Sequence, residues 1–333
     1  MHMPKLNIKN LETALSKRKK ILAKDRPDTF RLFNGFTEGC PSLVADVYRH
    51  TLLLYNFHKN PQLGTEMTET AQNFYLQKLP WLNAVVIKTR KGETRDLKRG
   101  VLTYGEKADI QITEHQVHYA LNLRINQDAS FYLDTRNLRS WLKQNVKDKT
   151  VLNTFAYTGS LGVAALAGKA TKIMQMDLSH KFMSIGKRSY KLNEFPVEHK
   201  NFIVGDFFSC VKQLKIAHKY FDCVIFDPPF FSATKKGRID LAQNTKQLIN
   251  KLRPLINDGG YLVVINNALF LSGTDFMSSI QELCSSDYLS VAEIIPVPQD
   301  IVGYPQADFK PLTDPAPFNH STKIIVLKIK RKQ

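Results

Sequence analysis

The residues best suited to chemistry in this chain are Asp227-Pro228-Pro229-Phe230-Phe231, which follow a short apolar run from Phe221 to Phe226. Such a run is typical of a buried parallel strand. The prolines fix the backbone and lack an N–H group, so no helix begins there and the chain stays extended. One acid and two aromatic rings therefore stand where open α/β sheets bind ligands, and a flat substrate such as a nucleobase fits against them. The alternative is a strand-end turn without function.

Polar groups follow four successive predicted strands, beginning with the strand at Thr150. They are the turn Tyr157-Thr158-Gly159 and the acids Asp177, Asp206 and Asp227. A glycine in the first turn lets the backbone approach a ligand closely, and an acid after the second strand accepts hydrogen bonds from both ribose hydroxyls. An acid after the third strand is placed to accept a hydrogen bond from the amino group of adenine. Asp177 alone would equally suit a helix N-cap, but the four positions together predict a nucleoside site.

The first of these turns argues against a dinucleotide. Residues 155–162 lack the Gly-x-Gly-x-x-Gly spacing that brings a pyrophosphate onto a helix N-terminus. Tyr157 stands where a second glycine would be needed. A cofactor without phosphates fits better, and S-adenosylmethionine (SAM), with an adenine, a ribose, an amino-acid tail and a sulfonium, is the expected cofactor.

The elements that must position these residues fall into two blocks. Residues 1–128 mix short strands and helices in an α+β pattern without a nucleotide-binding turn. From Thr150 onward strands and helices alternate, which predicts a parallel sheet covered by helices. The predicted strands of this second block are 150–155, 172–176, 201–204, 221–226, 261–265, 290–296 and 323–329. We therefore expect an α/β domain over residues 129–333, preceded by a smaller α+β domain over residues 1–128.

Charge and composition narrow the class of partner. The formal net charge is +17, and basic residues cluster at 17–20, 88–91, 95–99, 235–238 and 328–332. This balance favours a polyanion such as RNA, although lysines solvated on exposed helix faces would also account for much of it. Three of the clusters lie within residues 1–128, which suggests an RNA-binding role for that domain, with a purely structural role as the alternative.

Cysteine usage and hydropathy predict a cytoplasmic protein without a metal or a membrane segment. The four cysteines, Cys40, Cys210, Cys223 and Cys284, have no zinc or redox spacing. The first thirty residues are polar and lysine-rich rather than a signal peptide. No apolar run reaches the ~18 residues that span a bilayer. The sequence leaves open whether the protein forms a homodimer.

Several blocks of the chain resemble class I methyltransferases that modify bases of large-subunit ribosomal RNA. They are residues 131–136 (FYLDTR), 152–159 (LNTFAYTG), 176–179 (MDLS) and 227–232 (DPPFFS). Residues 31–39, 43–48 and 101–106 are similar to that family's central α+β domain. The resemblance covers roughly residues 30–270. It implies a Rossmann-like sheet of seven strands, mostly parallel. Some relatives begin with an RNA-binding PUA domain, for which the residues before Arg31 are too few.

The resemblance also implies which residues form the site. The cofactor is expected to contact Tyr132, Asp134, Arg136, Asn153, Phe155, Tyr157, Thr158, Gly159, Asp177, Leu178, Ser179, Asp206, Phe207 and Asp227. The catalytic group is expected to be Asp227, Pro228, Pro229, Phe230 and Asn266. Asp227 and Asn266 would hydrogen-bond the base edge, and Phe230 or Phe231 would stack on it.

Two branches of the family differ in the atom that is methylated. The 5-methylcytosine branch needs a cysteine thiolate, in a Ser-Cys-Ser-like turn after the fifth strand, to activate the ring. This chain has Ile265-Asn266-Asn267 there, close to the Ser-Asn-Asn of the 7-methylguanine branch. Guanine N7 already carries an in-plane lone pair, so the enzyme supplies mainly position and a desolvated sulfonium. The expected target is therefore guanine N7, with cytosine C5, an exocyclic amine and a non-RNA substrate as alternatives.

Overall fold

The computed structural model describes residues 6–23, 25–234, 237–307 and 309–331. Lys235, Lys236 and Lys332, which belong to two of the basic clusters, lie outside these ranges. The backbone divides into two compact units. The first is Met1–Leu133 with Pro298–Lys310, and the second is Asp134–Val297 with Pro311–Gln333.

The first unit contains a five-stranded sheet of order β1-β2-β3-β4-β5. Strands β1 to β3 pair antiparallel, β3 and β4 pair parallel, and β5 closes the sheet antiparallel. A separate antiparallel pair is formed by β6 and β7. The strands are β1 (Thr29–Asn34), β2 (Leu43–Tyr48), β3 (Thr51–Asn56), β4 (Ala84–Thr89), β5 (Val101–Tyr104), β6 (Gln111–Glu114) and β7 (Val117–Ala120).

The helices of this unit are α1 (Ile8–Lys17), α2 (Gly35–Glu38), α3 (Pro61–Lys78) and α4 (Arg95–Arg99). Helix α3 supplies the crossover that a parallel β3–β4 pair requires. It begins at Asn60, whose side chain accepts from Leu63 N at 3.0 Å, with Pro61 in the first turn where a missing N–H costs nothing. Its buried face, with Ala71 and Tyr75, packs into the same core as Leu52 and Leu54.

The second unit contains a seven-stranded sheet of order β10-β9-β8-β11-β14-β16-β15, in which only β16 runs antiparallel to its neighbours. This confirms the predicted mostly parallel sheet. Its strands, with the separate hairpin β12–β13, are β8 (Thr150–Thr154), β9 (Lys172–Asp177), β10 (Phe202–Val204), β11 (Phe221–Phe226), β12 (Phe231–Thr234), β13 (Gly237–Asp240), β14 (Ile256–Asn266), β15 (Leu289–Ile294) and β16 (Lys323–Ile329).

The central strand β11 shows why an unbroken apolar run forms a parallel strand. Cys223, Val224, Ile225 and Phe226 are all 0% exposed. Val224 and Phe226 enter the core on one face of the sheet, whereas Cys223 and Ile225 enter the core on the other. Because helices cover both faces, no polar alternation is needed along the strand.

The helices of the second unit are α5 (Arg136–Asn145), α6 (Ser160–Ala167), α7 (His180–Leu192), α8 (Phe207–Ile216), α9 (Thr245–Leu252) and α10 (Gly273–Cys284). Helix α9 ends at Leu252, and the chain continues only as a 3-10 turn, Arg253–Leu255. Pro254 lacks the N–H group that would continue an α-helix.

Strand β14 is longer than the sequence predicts. The sequence places Asp258-Gly259-Gly260 before the strand, but β14 runs from Ile256 to Asn266. Gly259 adopts a φ of 70°, and the β11–β14 register shifts between Phe221 and Cys223. The glycines therefore form an irregularity within the strand rather than its boundary.

The chain returns to the first unit late in the sequence, through α11 (Gln299–Val302). Asn34 Nδ2 donates to the carbonyls of Ile301 and Val302, each at 3.0 Å, and Arg31 N donates to Asp300 Oδ2 at 3.0 Å. A division of the sequence at residue 128 omits this return, because bonds between residues so far apart leave no local pattern. Within the described ranges, no helix combines the length and the apolarity needed to cross a membrane.

Candidate functional site

The predicted site residues follow strands that end at one edge of the sheet of the second unit. Phe226 is the register partner of Thr154 in β8 and of Val264 in β14. Thr154 in turn pairs with Met176, and Asp177 pairs with Val204. The turns that begin at Phe155, Gly205 and Asp227 consequently leave the sheet side by side, which is the crevice where parallel sheets bind ligands.

The turn after β8 is bent so that backbone groups face the end of β9. Phe155, Tyr157 and Gly159 have φ values of 53°, 52° and 76°. Ala156 N donates to Met176 O at 2.8 Å, and Tyr157 N donates to Asp177 Oδ2 at 2.8 Å. A Cβ on Gly159 would stand 2.9 Å from Gln175 Nε2, so both the backbone angle and the close approach require glycine.

Asp177 is held by backbone groups on both sides. Its Oδ2 accepts from Tyr157 N and its Oδ1 from Ser179 N, each at 2.8 Å. Burial raises the pKa of the Asp177 carboxyl, and these hydrogen bonds oppose the rise. Ser179 caps α7, accepting from Phe182 N at 3.4 Å, and Leu178 is exposed. The carboxylate is thus fixed in orientation, and its remaining lone pairs can accept from the hydroxyls of a ribose diol.

The acid after β10 also serves as a helix cap. Asp206 Oδ1 accepts from Ser209 N at 3.1 Å and so begins α8. The next residue, Phe207, is buried and stacks on Phe155 with ring centroids 4.7 Å apart. Phe226 lies 6.0 Å from Phe155 and 6.1 Å from Phe207. These three rings form an apolar floor beneath the edge of the sheet.

Asp227 differs from the other acids at this edge in its bonding. No hydrogen bond or ion pair joins its carboxyl to another group in the described part of the chain. Burial, assisted by the neighbouring Asp134 carboxylate, raises the pKa of Asp227 to about 8. Asp134 is itself bonded, its Oδ2 accepting from Thr322 Oγ1 at 2.9 Å. Pro228 is buried, whereas Pro229 and Phe230 face solvent.

Two asparagines of the predicted site are engaged within the chain. Asn266 is 0% exposed, its Nδ2 donates to Leu241 O at 3.2 Å, and its Oδ1 accepts from Ala268 N at 2.9 Å. Asn153 Nδ2 donates to Gln175 Oε1 at 2.8 Å, while its buried Oδ1 has no hydrogen-bond partner among the residues that the structure describes. In this geometry both amides support neighbouring groups of the chain.

The first predicted block is divided between the units. Tyr132 belongs to the first unit, where its hydroxyl donates to Asp128 Oδ2 at 3.4 Å. Asp134 belongs to the second unit, and Arg136 is the first residue of α5. The structure brings Asp134 close to Asp227, and it assembles Tyr157, Thr158, Gly159, Asp177 and Asp206 along the same sheet edge.

Two residues that shape this edge, Gln175 and Thr322, were not predicted from the sequence. Gln175 is 0% exposed inside β9, and its Nε2 donates to Gly159 O at 3.1 Å, which fixes the turn. A polar residue within the run Ile173-Met174-Gln175-Met176 was a usable signal. Thr322, which bonds Asp134, carries no such signal, because its partner lies 188 residues away in the sequence.

The set of acidic side chains at this edge suits a cationic nucleoside better than a dinucleotide. It contains the carboxyls of Asp134, Asp177, Asp206 and Asp227, which would repel a pyrophosphate and attract a positive group. Among the described residues no cation pairs with the half-buried Asp227 carboxyl, so a sulfonium or an ammonium beside it would relieve its cost of ionisation. Within the described ranges, no cluster of three or more His, Cys, Asp or Glu suited to hold a metal ion occurs.

The raised pKa of Asp227 predicts a pH-dependent effect on stability. The carboxyl ionises near pH 4 in the unfolded chain but near 8 in the folded one. The folded protein thus holds the Asp227 proton more tightly, and the contribution of this carboxyl to the free energy of unfolding falls as pH rises from about 4 to 8. An asparagine at this position cannot ionise, so Asp227→Asn should raise the melting temperature of the cofactor-free protein at pH 8 more than at pH 5. Thermal melts across this range would reveal the trend, and a pH-independent difference would contradict it.

Comparisons with known proteins agree with this geometry. A family model described as S-adenosylmethionine-dependent methyltransferase matches residues 93–310. The chain is 28% identical over 264 residues to "Ribosomal RNA large subunit methyltransferase I" of Enterobacter sp. (strain 638), covering 78% of this chain and 65% of that protein. It is 27% identical over 280 residues to the Escherichia coli O127:H6 protein of the same name, covering 82% and 69%. The match spans less than two thirds of the Enterobacter relative.

Solved structures show the same fold. One, assigned as a methyltransferase and solved with S-adenosylhomocysteine (SAH), superposes with a TM-score of 0.83 at 21% identity, covering 97% of this chain and 80% of that chain. Another, from Streptococcus mutans and assigned as a SAM-dependent methyltransferase, gives 0.82 at 20% identity, covering 98% and 83%.

Proposed function

Because the chain belongs to the S-adenosylmethionine-dependent methyltransferase family, we propose that it methylates a base of large-subunit ribosomal RNA, with guanine N7 as the target atom. The enzyme class and the cofactor follow from the family; the RNA, the base and the atom are the proposal. The observation that carries it is the loop after β11, where Asp227 has no partner of its own in the described part of the chain and Phe230, 42% exposed, faces solvent beside it.

The cofactor is proposed to lie across the carboxyl edge of β8 to β11. Asp177 would accept hydrogen bonds from the ribose hydroxyls, and Asp206 would accept one from the adenine amino group. The backbone of residues 157–159 would approach the amino-acid tail. The rings of Phe155 and Phe207 lie below the adenine, and Leu178 and Ser179 line its entrance. Asp134 and Arg136, both in the second unit, complete the proposed binding set, and the expected contact with Tyr132 of the first unit stays a prediction. When bound, SAM supplies a methyl group on a positively charged sulfur, which is a strong electrophile.

The target base is proposed to lie against Phe230, held by Asp227. With the sulfonium of the cofactor nearby to offset the cost of ionisation, the Asp227 carboxylate would accept hydrogen bonds from the N1–H and N2–H groups on the Watson–Crick edge of guanine. Stacking on the exposed ring fixes the plane of the base, and Pro228 and Pro229 keep the loop rigid. Asn266 acts indirectly here, since its bond to Leu241 O supports the neighbouring loop. A base within folded RNA would have to be unpaired or flipped out.

The cysteines favour a nitrogen target over cytosine C5. A carbon target needs a thiolate beside the base. Cys223 is 0% exposed, and burial raises its pKa to about 12. Burial also raises the pKa of the thiols of Cys210 and Cys284, on α8 and α10. Cys40 lies in the first unit with its pKa raised to about 11. None of these is poised to act as the nucleophile, whereas N7 requires none.

The substrate is tested by mass spectrometry of ribosomal RNA nucleosides from a strain that lacks this protein. We expect the 7-methylguanine content of large-subunit RNA to fall by one residue per molecule and to be restored by the wild-type gene but not by Asp227→Ala. Loss of 5-methylcytosine instead would assign the other branch. Unchanged ribosomal RNA would point to a different substrate class.

Ribosomal RNA in the cytoplasm is the partner that the net charge of +17 favours over a small molecule or a protein substrate. Binding to such a polyanion releases counterions, so we expect the RNA affinity to fall steeply and linearly on a logarithmic scale as salt rises. Filter binding over a salt series measures this slope. A flat dependence would favour a non-RNA substrate.

A further inference from the structure

We propose that an apolar rim of the second unit, defined as Phe231, Leu269, Phe270 and Leu312, binds the unpaired nucleotides next to the target base by stacking. These four side chains are 54%, 52%, 71% and 69% exposed. Large apolar side chains that are exposed together mark an interaction surface. The inference rests on the proposed function, since it takes the substrate to be RNA, and it adds a second contact region beside the target-base pocket.

The loops that carry the rim are joined by hydrogen bonds. Leu241 N donates to Phe230 O at 3.1 Å, and Asn266 Nδ2 donates to Leu241 O at 3.2 Å. These bonds connect the loop after β11 to the loop after β14. Thr313 Oγ1 donates to Leu269 O at 2.8 Å, which connects the 311–313 segment. The rim is therefore one surface at the carboxyl edge, built from three parts of the chain.

Buried polar groups hold this surface in place. Lys323 is 1% exposed, and its Nζ donates to Ala268 O at 3.0 Å and to Ser321 O at 2.8 Å. Asn266, at 0% exposed, accepts from Ala268 N. Buried amide and ammonium groups are costly unless they are hydrogen-bonded, so these bonds fix the backbone that bears Leu269 and Phe270. A surface fixed in advance loses little entropy when a ligand stacks on it.

The chemistry of the rim fits a single strand of RNA. The Arg238 guanidinium lies 5.0 Å from the Phe231 ring centroid, and its side chain, also paired with Asp240 at 2.9 Å, is 58% exposed. Aromatic rings with a nearby arginine are the usual platform for unpaired bases, because every base has a stacking face. The net charge of +17 favours a polyanion over an apolar protein surface. The rim also adjoins Phe230, so a strand bound there continues into the proposed base site.

The test compares wild type with Phe231→Ala/Phe270→Ala on two probes: a short single-stranded RNA carrying a fluorescent aminopurine, and unmodified large-subunit ribosomal RNA. Losing a stacking ring weakens binding several-fold to about a hundredfold. We therefore expect the Kd for the oligonucleotide to rise at least about tenfold, with loss of the fluorescence quenching seen on wild type. Phe270→Trp keeps an aromatic face and should retain both signals.

The matched control is Ile216→Ala/Tyr220→Ala, whose side chains are 67% and 44% exposed near the amino end of β11, at the opposite edge of the sheet. It should bind RNA as wild type does, and calorimetry should show unchanged SAM affinity in every variant. Unchanged RNA affinity in the rim variant overturns the proposal. So does sedimentation showing that the rim variant only breaks a dimer. If the wild-type protein methylates no RNA, that result counts against the proposed function. The Kd for the oligonucleotide would still show whether the rim binds RNA.

Discussion

Replacing Asp227 with alanine is expected to lower the rate of methyl transfer by about 10²–10³-fold, the range found when one preorganised group at a reacting centre is removed. The reason is that this carboxyl has no partner of its own in the described part of the chain and stands beside the exposed Phe230 ring. Without it the target base keeps its stacking surface but loses the acceptor that fixes its rotation. Single-turnover transfer of a labelled methyl group to ribosomal RNA measures the effect.

Cofactor binding separates this role from a folding defect. The variant should still bind SAH within about tenfold of wild type, whereas SAM, whose sulfonium is attracted by a nearby carboxylate, should lose more affinity. Asp148→Asn is the matched control, because Asp148 is exposed, precedes β8 at the opposite edge of the sheet, and has a φ of 59° that asparagine tolerates. Normal turnover by Asp227→Ala would show that the catalytic assignment is wrong.

Replacing Asp177 with alanine is expected to raise the Kd for SAM by roughly 10- to 100-fold, because hydrogen bonds to a charged acceptor contribute about 1.5–3 kcal/mol each. The loss should be the same for SAM and SAH, since both carry the same ribose. Isothermal titration calorimetry with both ligands measures it. Asp227→Ala, by contrast, should lose more affinity for SAM than for SAH.

A stability control accompanies this second prediction. Asp177 also accepts hydrogen bonds from backbone N–H groups, including those of Tyr157 and Ser179, so its loss leaves these donors without their partner and lowers the melting temperature. Asp287→Asn, at an exposed position with a φ of 57°, should change neither affinity nor melting temperature. Wild-type affinity for both ligands in Asp177→Ala would remove this residue from the cofactor site.

The strands of the second unit could be predicted because each is specified by residues that are adjacent in the sequence. Strand β11 is an unbroken apolar run, and β16 has the bounds that the sequence predicts, Lys323–Ile329. Where a strand carried an irregularity the prediction shifted, as at Gly259-Gly260 in β14. The hairpin β12–β13 was not predicted, since its residues lack the alternation that marks a half-buried strand.

The site was predictable only in part. Asp177 and Asp227 could be found because an acid directly after an apolar run reads as a strand end. The two carboxyls differ in their bonding. Asp177 accepts from backbone groups on both sides, whereas Asp227 has no partner among the described residues. This difference depends on three-dimensional burial. The full burial of Asn266 likewise depends on the tertiary structure, whereas its place in the sequence predicted a residue that binds the target base.

The amino-acid sequence by itself determined the order of strands and helices, the acids at the strand ends and the excess of positive charge, because hydrophobic period, backbone restriction and charge are carried by neighbouring residues. Only the tertiary structure decided that Thr322 bonds Asp134, that Lys323 and Asn266 support the loop after β14, and that residues 298–310 join the first unit. These depend on contacts between residues far apart in the chain, and no local pattern records which distant groups the packed core will bring within hydrogen-bond distance.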